Sequence, residues 1–201
     1  MRRFYEDVWA QLPEELDPPD LERRRAFLLE HVSAGDRVLD IGCGDGVFTA
    51  ILAAAGTRPV GADVAENALT RARRRHPALQ FVRVEPHGPF PFADGDFDVA
   101  WASEVIEHVA DTARWLSEVR RVLRPSGRLL VTTPFHGRAR NVVTAVRGFE
   151  DHHEPMGDHL RFYTARSLRR TLEQLSFGEV EVAATGGVPL LRETLRAVAV
   201  R

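Results

Sequence analysis

The sequence predicts one α/β domain over residues 1–201, built on a seven-stranded, mostly parallel sheet with helices on both faces. Short apolar segments with strand character alternate with helical segments between residues 37 and 175, which is typical of parallel strands joined by crossover helices. Two strand-like segments, 177–185 and 194–201, then follow without a helix between them. We therefore expect an antiparallel hairpin at one edge of the sheet. This arrangement is Rossmann-like and doubly wound.

The first strand leads into the most informative segment, Arg37–Gly46, with the sequence RVLDIGCGDG. An apolar run that contains Asp40 is followed by glycines at 42, 44 and 46, and then by an apolar helix from Val47. Glycine lets a loop turn sharply and come close to a ligand, and the amides at the start of the next helix point at that ligand. The segment therefore predicts a strand, a ligand-binding loop and a helix.

Two kinds of ligand use such a loop. The dinucleotide fingerprint requires G-x-G-x-x-G/A, and the third glycine position is Val47 here, which disfavours a nicotinamide cofactor. The carboxylate of Asp40, just inside the strand, suits a cationic ligand better than a pyrophosphate. A sulfonium with an amino-acid tail is such a ligand, and an NAD(P)-dependent oxidoreductase stays as the alternative.

Two stretches carry a family resemblance. RVLDIGCGDG resembles the first motif of the class I methyltransferases that depend on S-adenosylmethionine (SAM). PFADGDFDVAWASEVIEHV resembles a stretch shared by small-molecule enzymes of that class, of the methyltransferase type 11/23 kind, and its SEVIEHV part is similar to quinone-type O-methyltransferases. The resemblance covers about residues 36–184. It implies an enzyme that moves a methyl group from SAM to a small-molecule acceptor, with oxygen as the expected acceptor atom, and leaves S-adenosylhomocysteine.

The resemblance also implies which residues hold SAM. Asp40 would set the amino-acid end of the cofactor, and Asp63, at the end of the second strand, would accept hydrogen bonds from the ribose hydroxyls. Related enzymes commonly have an aspartate after the third strand, where this chain has Glu85-Pro86; for that reason a SAM-binding partner without catalysis stays a second alternative. The residues expected along the cofactor are Asp40, Gly42, Cys43, Gly44, Asp63, Val64, Glu85, Pro86 and Ser103.

The end of the fourth strand is expected to hold the catalytic residues. Glu104, Glu107 and His108 follow Ser103 directly, and ligands of open α/β sheets bind at the carboxyl ends of the strands. His108 titrates in the range suited to taking a proton from a hydroxyl, and the resemblance adds His159 as a reserve. We expect His108, His159 and Glu107 to be the catalytic set. A structural His108, bonded to a backbone carbonyl beneath the site, is an equal alternative.

Two further regions are expected to cover the site. Residues 1–35 form a helical cap, in which Asp20 is the expected side-chain cap of a helix from Leu21 to about residue 32. An aromatic group near the start, including Tyr5 and Trp9, is expected to pack at the core edge rather than to form a lid. Residues 134–163 form a substrate-capping insertion, followed by a helix over 165–175 that Thr164 caps.

The insertion also raises the question of a metal or a lipid. Adjacent His152 and His153 lack the i, i+4 spacing that places two imidazoles on one helix face, so we expect no metal. The amphipathic stretch 141–149 is compatible with a lipid surface. It has only three arginines nearby, so this interpretation is the less favoured.

The composition excludes several classes of function. A net charge of −2 gives no electrostatic reason to expect nucleic acid, and no apolar run is long enough to span a bilayer. All 27 basic residues are arginine, which excludes lysine Schiff-base chemistry. The single cysteine excludes an internal disulfide, and the start of the chain lacks the apolar segment of a secretory signal. We expect a cytoplasmic protein, and the oligomeric state is left open.

Overall fold

A computed structural model describes residues 2–13, 17–86, 88–148, 157, 159–188 and 192–201. The described strands are β1 (Arg37–Ile41), β2 (Arg58–Asp63), β3 (Gln80–Arg83), β4 (Phe97–Ser103), β5 (Leu123–Pro134), β6 (Gly178–Thr185) and β7 (Thr194–Val200). The described helices are α1 (Arg2–Gln11), α2 (Leu21–Glu30), α3 (Val47–Ala54), α4 (Glu66–Arg75), α5 (Thr112–Val122), α6 (Arg138–Arg147) and α7 (Ala165–Gln174). None of these helices is long and apolar enough to cross a membrane.

The seven strands form one sheet in the order β3-β2-β1-β4-β5-β7-β6. The first five strands pair in parallel, and β7 is antiparallel to both of its neighbours, β5 and β6. The prediction of a seven-stranded, mostly parallel sheet with a closing antiparallel hairpin is therefore confirmed. The sheet is mixed, because its last strand in sequence enters between two others.

Helices cover both faces of the sheet because side chains alternate along the strands. On β1, Leu39 and Ile41 pack into a core with α5 and α7. The side chain of Val38 points the opposite way and packs with α2 and α3 on the other face. The carboxyl ends of β1, β2 and β4 lie side by side at one edge, and the loops that follow them are thereby brought together.

The two predicted helix caps have different outcomes. Thr164 accepts a hydrogen bond from the backbone N–H of Ser167 and completes a reciprocal capping box at the start of α7, as predicted. Asp20 precedes α2, but it makes no side-chain capping bond, so that prediction is wrong. Its φ of 54° is left-handed, whereas a capping residue needs extended backbone to turn its side chain back to the helix amides. Its carboxylate accepts from Arg23 instead.

Helix α1 is fixed against α4. The Glu6 carboxylate accepts hydrogen bonds from the backbone N–H groups of Glu66 and Asn67, so α1 supplies the N-terminal cap of α4. Arg71 of α4 donates to the carbonyls of residues 12 and 13 just beyond α1. The expectation that Tyr5 and Trp9 pack at the core edge is wrong, because both rings line the cavity beside the glycine loop, where the docking of α1 on α4 holds them. The same docking places the Trp9 ring over Gly44, so α1 lies across the glycine loop.

Candidate active site

Two cavities lie at the carboxyl ends of β1, β2 and β4. The larger, of about 250 Å³, extends from the glycine loop past Asp63 and Glu85 to His108. The smaller, of about 200 Å³, lies between the glycine loop, Asp40 and Arg24 of α2. Gly42 and Trp9 line both cavities, so the two spaces meet at the start of the loop, under α1.

The glycine loop leaves no room for side chains. Gly42 and Gly44 have φ values of +69° and +56°, a region that glycine occupies without the steric cost a Cβ would bring. A Cβ on Gly42 would lie 2.5 Å from Cγ2 of Val105, and a Cβ on Gly44 would lie 2.7 Å from Cζ2 of Trp9. Both positions therefore need glycine for the close approach of neighbouring groups.

Asp63 is buried, and backbone amides fix its orientation. Its Oδ2 accepts from the N–H of Gly44 at 2.9 Å, and its Oδ1 accepts from the N–H of Ala65 at 2.9 Å. Burial raises the pKa of this carboxyl, and the backbone donors act against that effect. One carboxylate thereby joins the glycine loop to the end of β2, and it lines the larger cavity.

Asp40 lines the smaller cavity together with Ser103. Thr49 of α3 donates to its Oδ2 at 2.6 Å. Burial raises the pKa of Asp40 to about 7, with the negative charge of Asp63 adding to the effect. This buried carboxyl is therefore close to half-ionised at neutral pH, and a cation in the smaller cavity would favour the ionised form.

Arg24 is a site residue that the sequence did not indicate. It lines the smaller cavity, and it is 9% exposed. Its Nε is buried and has no hydrogen-bond partner among the described residues, while its Nη2 lies 3.5 Å from Oε1 of Glu104. Nothing in the run LERRRAFLLE sets this arginine apart from its two neighbours, so only the tertiary structure reveals it.

The other predicted cofactor residues occupy two settings. Val64, Glu85 and Pro86 line the larger cavity, and the Glu85 carboxylate pairs with Arg83 at 3.0 Å. Cys43 touches the smaller cavity, but its side chain belongs to an apolar cluster under α4. Burial raises the pKa of this thiol well above its usual value, so Cys43 is not a reactive nucleophile.

A sharp turn follows β4 and carries the predicted catalytic residues. Glu104 has a left-handed φ of 55°, which is strained for a residue with a Cβ. It is held there by Thr132 of β5, whose carbonyl accepts from its N–H at 2.9 Å and whose hydroxyl donates to its Oε1 at 2.9 Å. A single 3₁₀ turn, Ile106–His108, comes next. Glu104 and His108 line the larger cavity, where Tyr5 of α1 makes an edge contact with the His108 ring.

Glu107 points away from solvent beneath this turn and is 1% exposed. Its Oε2 accepts from the hydroxyl of Thr133 at 2.9 Å. Its Oε1 has no hydrogen-bond partner among the described residues and lies 3.9 Å from Nε2 of His108. Burial, and then the charge of Glu104, raise the pKa of Glu107 to about 8.

His159 joins this group from a distant part of the sequence. Its ring centroid lies 4.8 Å from that of His108, and the backbone carbonyl of Glu107 accepts from the N–H groups of Leu160 and Arg161. The potential ligand atoms of Glu107, His108 and His159 all lie within 4.8 Å of one another. The structure thus brings together the three residues expected to be catalytic. His152 and His153, the pair considered from the sequence, lie outside the described residues.

The described part of the 134–163 segment begins beside the site. Phe135 bridges to Tyr163, and α6 follows with Val142 and Val146 exposed. Burial raises the pKa of the Tyr163 hydroxyl, because the charged form loses its hydration. This tyrosine therefore stays neutral at physiological pH.

Similarity to known proteins agrees with this geometry. A sequence model of the methyltransferase domain family matches residues 2–181. The chain belongs to this methyltransferase domain family. The resemblance stated from RVLDIGCGDG and SEVIEHV to the class I SAM-dependent methyltransferases is thereby confirmed, together with the cofactor class and enzymatic nature of the family. Membership also disfavours the nicotinamide alternative.

Two relatives illustrate the similarity. A probable S-adenosylmethionine-dependent methyltransferase of Mycolicibacterium smegmatis is 36% identical over 160 residues, which cover 80% of this chain and 58% of the relative. A ubiquinone biosynthesis O-methyltransferase of Aromatoleum aromaticum is 32% identical over 166 residues, which cover 78% of this chain and 70% of the relative. The chain spans 58%, 34% and 54% of the length of three curated relatives that it matches.

The fold has close counterparts among solved structures. Phosphoethanolamine N-methyltransferase 2 of Haemonchus contortus, in complex with phosphomonomethylethanolamine and S-adenosylhomocysteine, superposes with a TM-score of 0.78. The identity is 17%, and the match covers 98% of this chain and 57% of that one. At this identity the likeness shows the fold.

Proposed function

We propose that this chain binds SAM and transfers its methyl group to an oxygen of a small-molecule acceptor. The observation that carries the proposal is the pair of cavities that meet at Gly42, one lined by Asp63 and the other by Asp40 and Arg24. SAM has an adenosine at one end, a charged amino acid at the other and a sulfonium between them. A ligand of this shape fits two cavities joined at the backbone of a glycine loop.

The adenosine end would occupy the larger cavity. Asp63, oriented by two backbone amides, would accept hydrogen bonds from the ribose hydroxyls. Val64, Pro86 and Phe90 line the same cavity and offer apolar surface to the adenine. Glu85, half-exposed at the end of this wall, would accept from the adenine amino group in place of the aspartate that related enzymes commonly have.

The amino-acid end would occupy the smaller cavity. Asp40 would face the ammonium group, and Arg24 the carboxylate, because a planar guanidinium matches a carboxylate geometrically. The smaller cavity is lined by Asp40 of β1 and Ser103 of β4, which are neighbouring strands, and this supports the assignment. As part of the same proposal, the sheet is doubly wound: from β1 the strands are added outward through β2 and β3 on one side and through β4 and β5 on the other, which opens a crevice for the cofactor at the switch point between β1 and β4.

Methyl transfer needs the protein to align the reacting atoms more than it needs covalent catalysis. The acceptor hydroxyl would lose its proton to the cluster of His108, His159 and Glu107, with His108 as the first base. A bond then forms between the acceptor oxygen and the methyl carbon while the bond from that carbon to sulfur breaks, and neutral S-adenosylhomocysteine is left. The protein contributes by holding oxygen, carbon and sulfur in line and by excluding water.

The choice of oxygen as the acceptor atom is supported by sequence similarity rather than by the geometry of the site. The Aromatoleum relative is named an O-methyltransferase, whereas the Haemonchus protein with the same fold is named an N-methyltransferase. The fold therefore accommodates both acceptor atoms, and the closer sequence relationship favours oxygen. Residues 1–35 and 134–163 would cover cofactor and acceptor within one domain. The cytoplasmic location, and the absence of a nucleic-acid partner, stay predictions.

The cofactor half of the proposal is tested by calorimetric titration of the purified chain with S-adenosylhomocysteine and, separately, with NADH. We expect binding of S-adenosylhomocysteine alone. Asp63→Ala should weaken it at least about 100-fold, because the variant loses the ribose acceptor and leaves two loop amides unpaired. Asp94→Ala is the matched control, because this carboxylate is 77% exposed and lines neither cavity.

Binding of NADH, or an unchanged affinity in Asp63→Ala, would contradict the assignment. The methyl-transfer half is tested with SAM labelled in the methyl group and a panel of phenols, catechols and hydroxy acids. Labelled methyl ethers or esters are expected. Tight binding without turnover on any acceptor would instead support a non-catalytic SAM-binding protein.

A further inference from the structure

A third cavity, of about 290 Å³, lies between α2 and the carboxyl end of β5, and we call it the α2 cavity. One face of α2 forms its first wall. The opposite wall is formed by Thr132 of β5, Thr185 of β6, and Thr194 and Arg196 of β7. Arg24 lines both this cavity and the smaller of the two cavities described above. The α2 cavity therefore adjoins the proposed cofactor site on the side of Arg24.

The sheet face under α2 changes from apolar to polar as it reaches this cavity. Leu130 of β5 pairs with Val198 of β7, and both pack with the buried apolar residues of α2. Two residues further along β5 and two residues back on β7, the next pair on the same face is Thr132 and Arg196. A sheet face covered by a helix is ordinarily apolar, so polar side chains at such positions are informative. They lie at the edge where open α/β sheets bind their ligands.

Three arginines line the α2 cavity, and two of them have unpaired donors. Arg23 pairs with Asp20 at 3.1 Å on the exposed rim. The Arg196 guanidinium lies over the Phe27 ring, with its central carbon 5.4 Å from the ring centroid, and it makes no hydrogen bond or ion pair among the described residues. The Nε of Arg24 is buried and also has no hydrogen-bond partner there. Planar guanidinium groups with free N–H edges match the oxygens of a phosphate or a carboxylate.

Carboxylates near the α2 cavity limit its positive charge. Oε1 of Glu104 lies 3.5 Å from Nη2 of Arg24 and offsets part of that charge. Glu30, the last residue of α2, lines the cavity from an exposed position and has no ion pair among the described residues. The charge of Arg196 is therefore left without a paired carboxylate in the described structure, and Glu30 is the group that would repel an anion.

We propose that the α2 cavity binds a small oxyanion, the phosphate or carboxylate group of a ligand, between Arg196 and Arg24. The hydroxyl groups of Thr185 and Thr194, which are paired directly across β6 and β7, would donate to its remaining oxygens. The unpaired guanidinium donors would be satisfied by this ligand, and the aromatic ring under Arg196 would hold the guanidinium in place.

Two sources can supply such an oxyanion, a free ion or the charged group of the methyl acceptor. Thr132 lines the α2 cavity and donates to Glu104, which lines the larger cavity. One hydrogen-bonded pair thus lies between the two spaces, and an acceptor with its hydroxyl near His108 could extend its charged group past that pair. The acceptor as source rests on the proposed methyl transfer, whereas a free ion does not.

The test is calorimetric titration of the full chain with inorganic phosphate, against chloride of matched ionic strength, with and without saturating S-adenosylhomocysteine. We expect one saturable site in both titrations, since the cofactor would fill the neighbouring cavities and leave this one open. Arg196→Gln should weaken phosphate binding at least about tenfold, because a charge-assisted hydrogen bond is lost. Glu30→Gln should tighten it several-fold, because the variant removes the repelling charge.

Arg170→Gln is the matched control, because Arg170 is exposed on α7 and lines none of the three cavities. It should keep the phosphate affinity of the wild type. S-adenosylhomocysteine affinity is measured on all three variants and should change by no more than about twofold, since none of the substituted residues lines the cofactor cavities. This readout shows that the fold is intact.

The outcomes separate this proposal from the proposed function. Absence of saturable phosphate binding, or equal affinities of the wild type and Arg196→Gln, would overturn the oxyanion site whether or not the chain binds S-adenosylhomocysteine. Phosphate binding that requires Arg196, in a chain without affinity for S-adenosylhomocysteine, would uphold the site and contradict the proposed cofactor.

The methyl-transfer assay then identifies the source of the oxyanion. Each hydroxy acid of the acceptor panel is compared with its neutral amide. A lower KM for the acid, which Arg196→Gln abolishes at unchanged kcat, would uphold the site with the acceptor's own carboxylate as its ligand. Equal KM values for acid and amide, together with phosphate binding that requires Arg196, would uphold it as a site for a free ion.

Discussion

The two halves of the site are built in different ways. In the cofactor half, the carboxylates of Asp40 and Asp63 lie within one continuous β1–α3–β2 unit and receive hydrogen bonds from Thr49 and from two loop amides. In the acceptor half, Glu107 comes from the turn after β4 and its neighbours come from β5 and from residues 159–161. One of its oxygens has no partner among the described residues.

The difference indicates that the polar groups of the two halves are paired to different extents before a ligand binds. In the cofactor half both carboxylates already have hydrogen-bond donors, from two backbone amides and from Thr49, as expected for a site that must hold the same molecule in every reaction, although the buried Nε of Arg24 has no hydrogen-bond partner among the described residues. The acceptor half joins separate segments around an unsatisfied atom, and its completion depends on what binds there. Three experiments test this difference between the halves.

We expect the strongest effect from the charge of Asp40. The pH dependence of stability tests whether this carboxyl is neutral in the folded chain without its ligand. The pKa of Asp40 is about 7 in the folded chain, against an ordinary 3.8. Between these values the folded state holds a proton that the unfolded state has released, so stability falls as pH rises. This one group should lower the free energy of unfolding by roughly 4 kcal/mol from about pH 4 to about pH 8.

The measurement is urea unfolding of wild type and Asp40→Asn across that pH range. Asparagine does not titrate, so the difference between the two proteins should change with pH by the stated amount. A constant difference would show that Asp40 is already ionised in the folded chain.

A smaller effect is expected where α1 lies over the glycine loop. Gly44→Ala should weaken S-adenosylhomocysteine binding about tenfold, because the new Cβ meets the Trp9 ring and the backbone stays left-handed. In a Trp9→Ala background the same substitution should cost less, since only the backbone strain remains. Gly178→Ala, where a Cβ meets nothing within 4 Å, serves as the control. An equal cost in both backgrounds would mean that α1 does not press on the loop.

The smallest and most direct comparison uses two matched threonines. Thr49→Val removes the donor to Asp40, and Thr133→Val removes the donor to Glu107, each with little change of shape. We expect each variant to lose roughly 1–2 kcal/mol of stability. Thr49→Val should weaken S-adenosylhomocysteine binding several-fold and leave the methyl-transfer rate at saturating SAM unchanged, whereas Thr133→Val should lower that rate and leave S-adenosylhomocysteine binding unchanged. Equal losses in both assays for both variants would show that the two halves of the site do not act separately.

The same contrast explains what the sequence could predict. Asp40, Gly42, Gly44 and Asp63 lie within about 25 residues of one another, and strand, loop and helix signals in that stretch are local. The carboxyl ends of β1 and β2 were therefore predicted correctly, and Val64, Glu85 and Pro86 line the cavity that they were expected to line.

The acceptor half depends on contacts that no local pattern encodes. His159 was expected in the catalytic set only through the family resemblance, and the structure brings it to Glu107 through backbone hydrogen bonds to residues 160 and 161. Arg24 reaches the site only because α2 packs beside β4 and β5. Asp20 failed as a cap because its backbone φ, which the residue type does not determine, turns its side chain away.

The place of β7 in the sheet has a consequence for how the chain reaches this structure. β7 is the last of the seven strands in the sequence, yet it lies between β5 and β6. During synthesis β6 emerges first and has no neighbour to pair with, and the edge of β5 stays open until β7 follows. Such late, long-range pairing slows folding and leaves strand edges exposed to other chains. The nascent protein is therefore expected to be most prone to aggregation just before β7 is released, when the parallel part of the sheet is already formed.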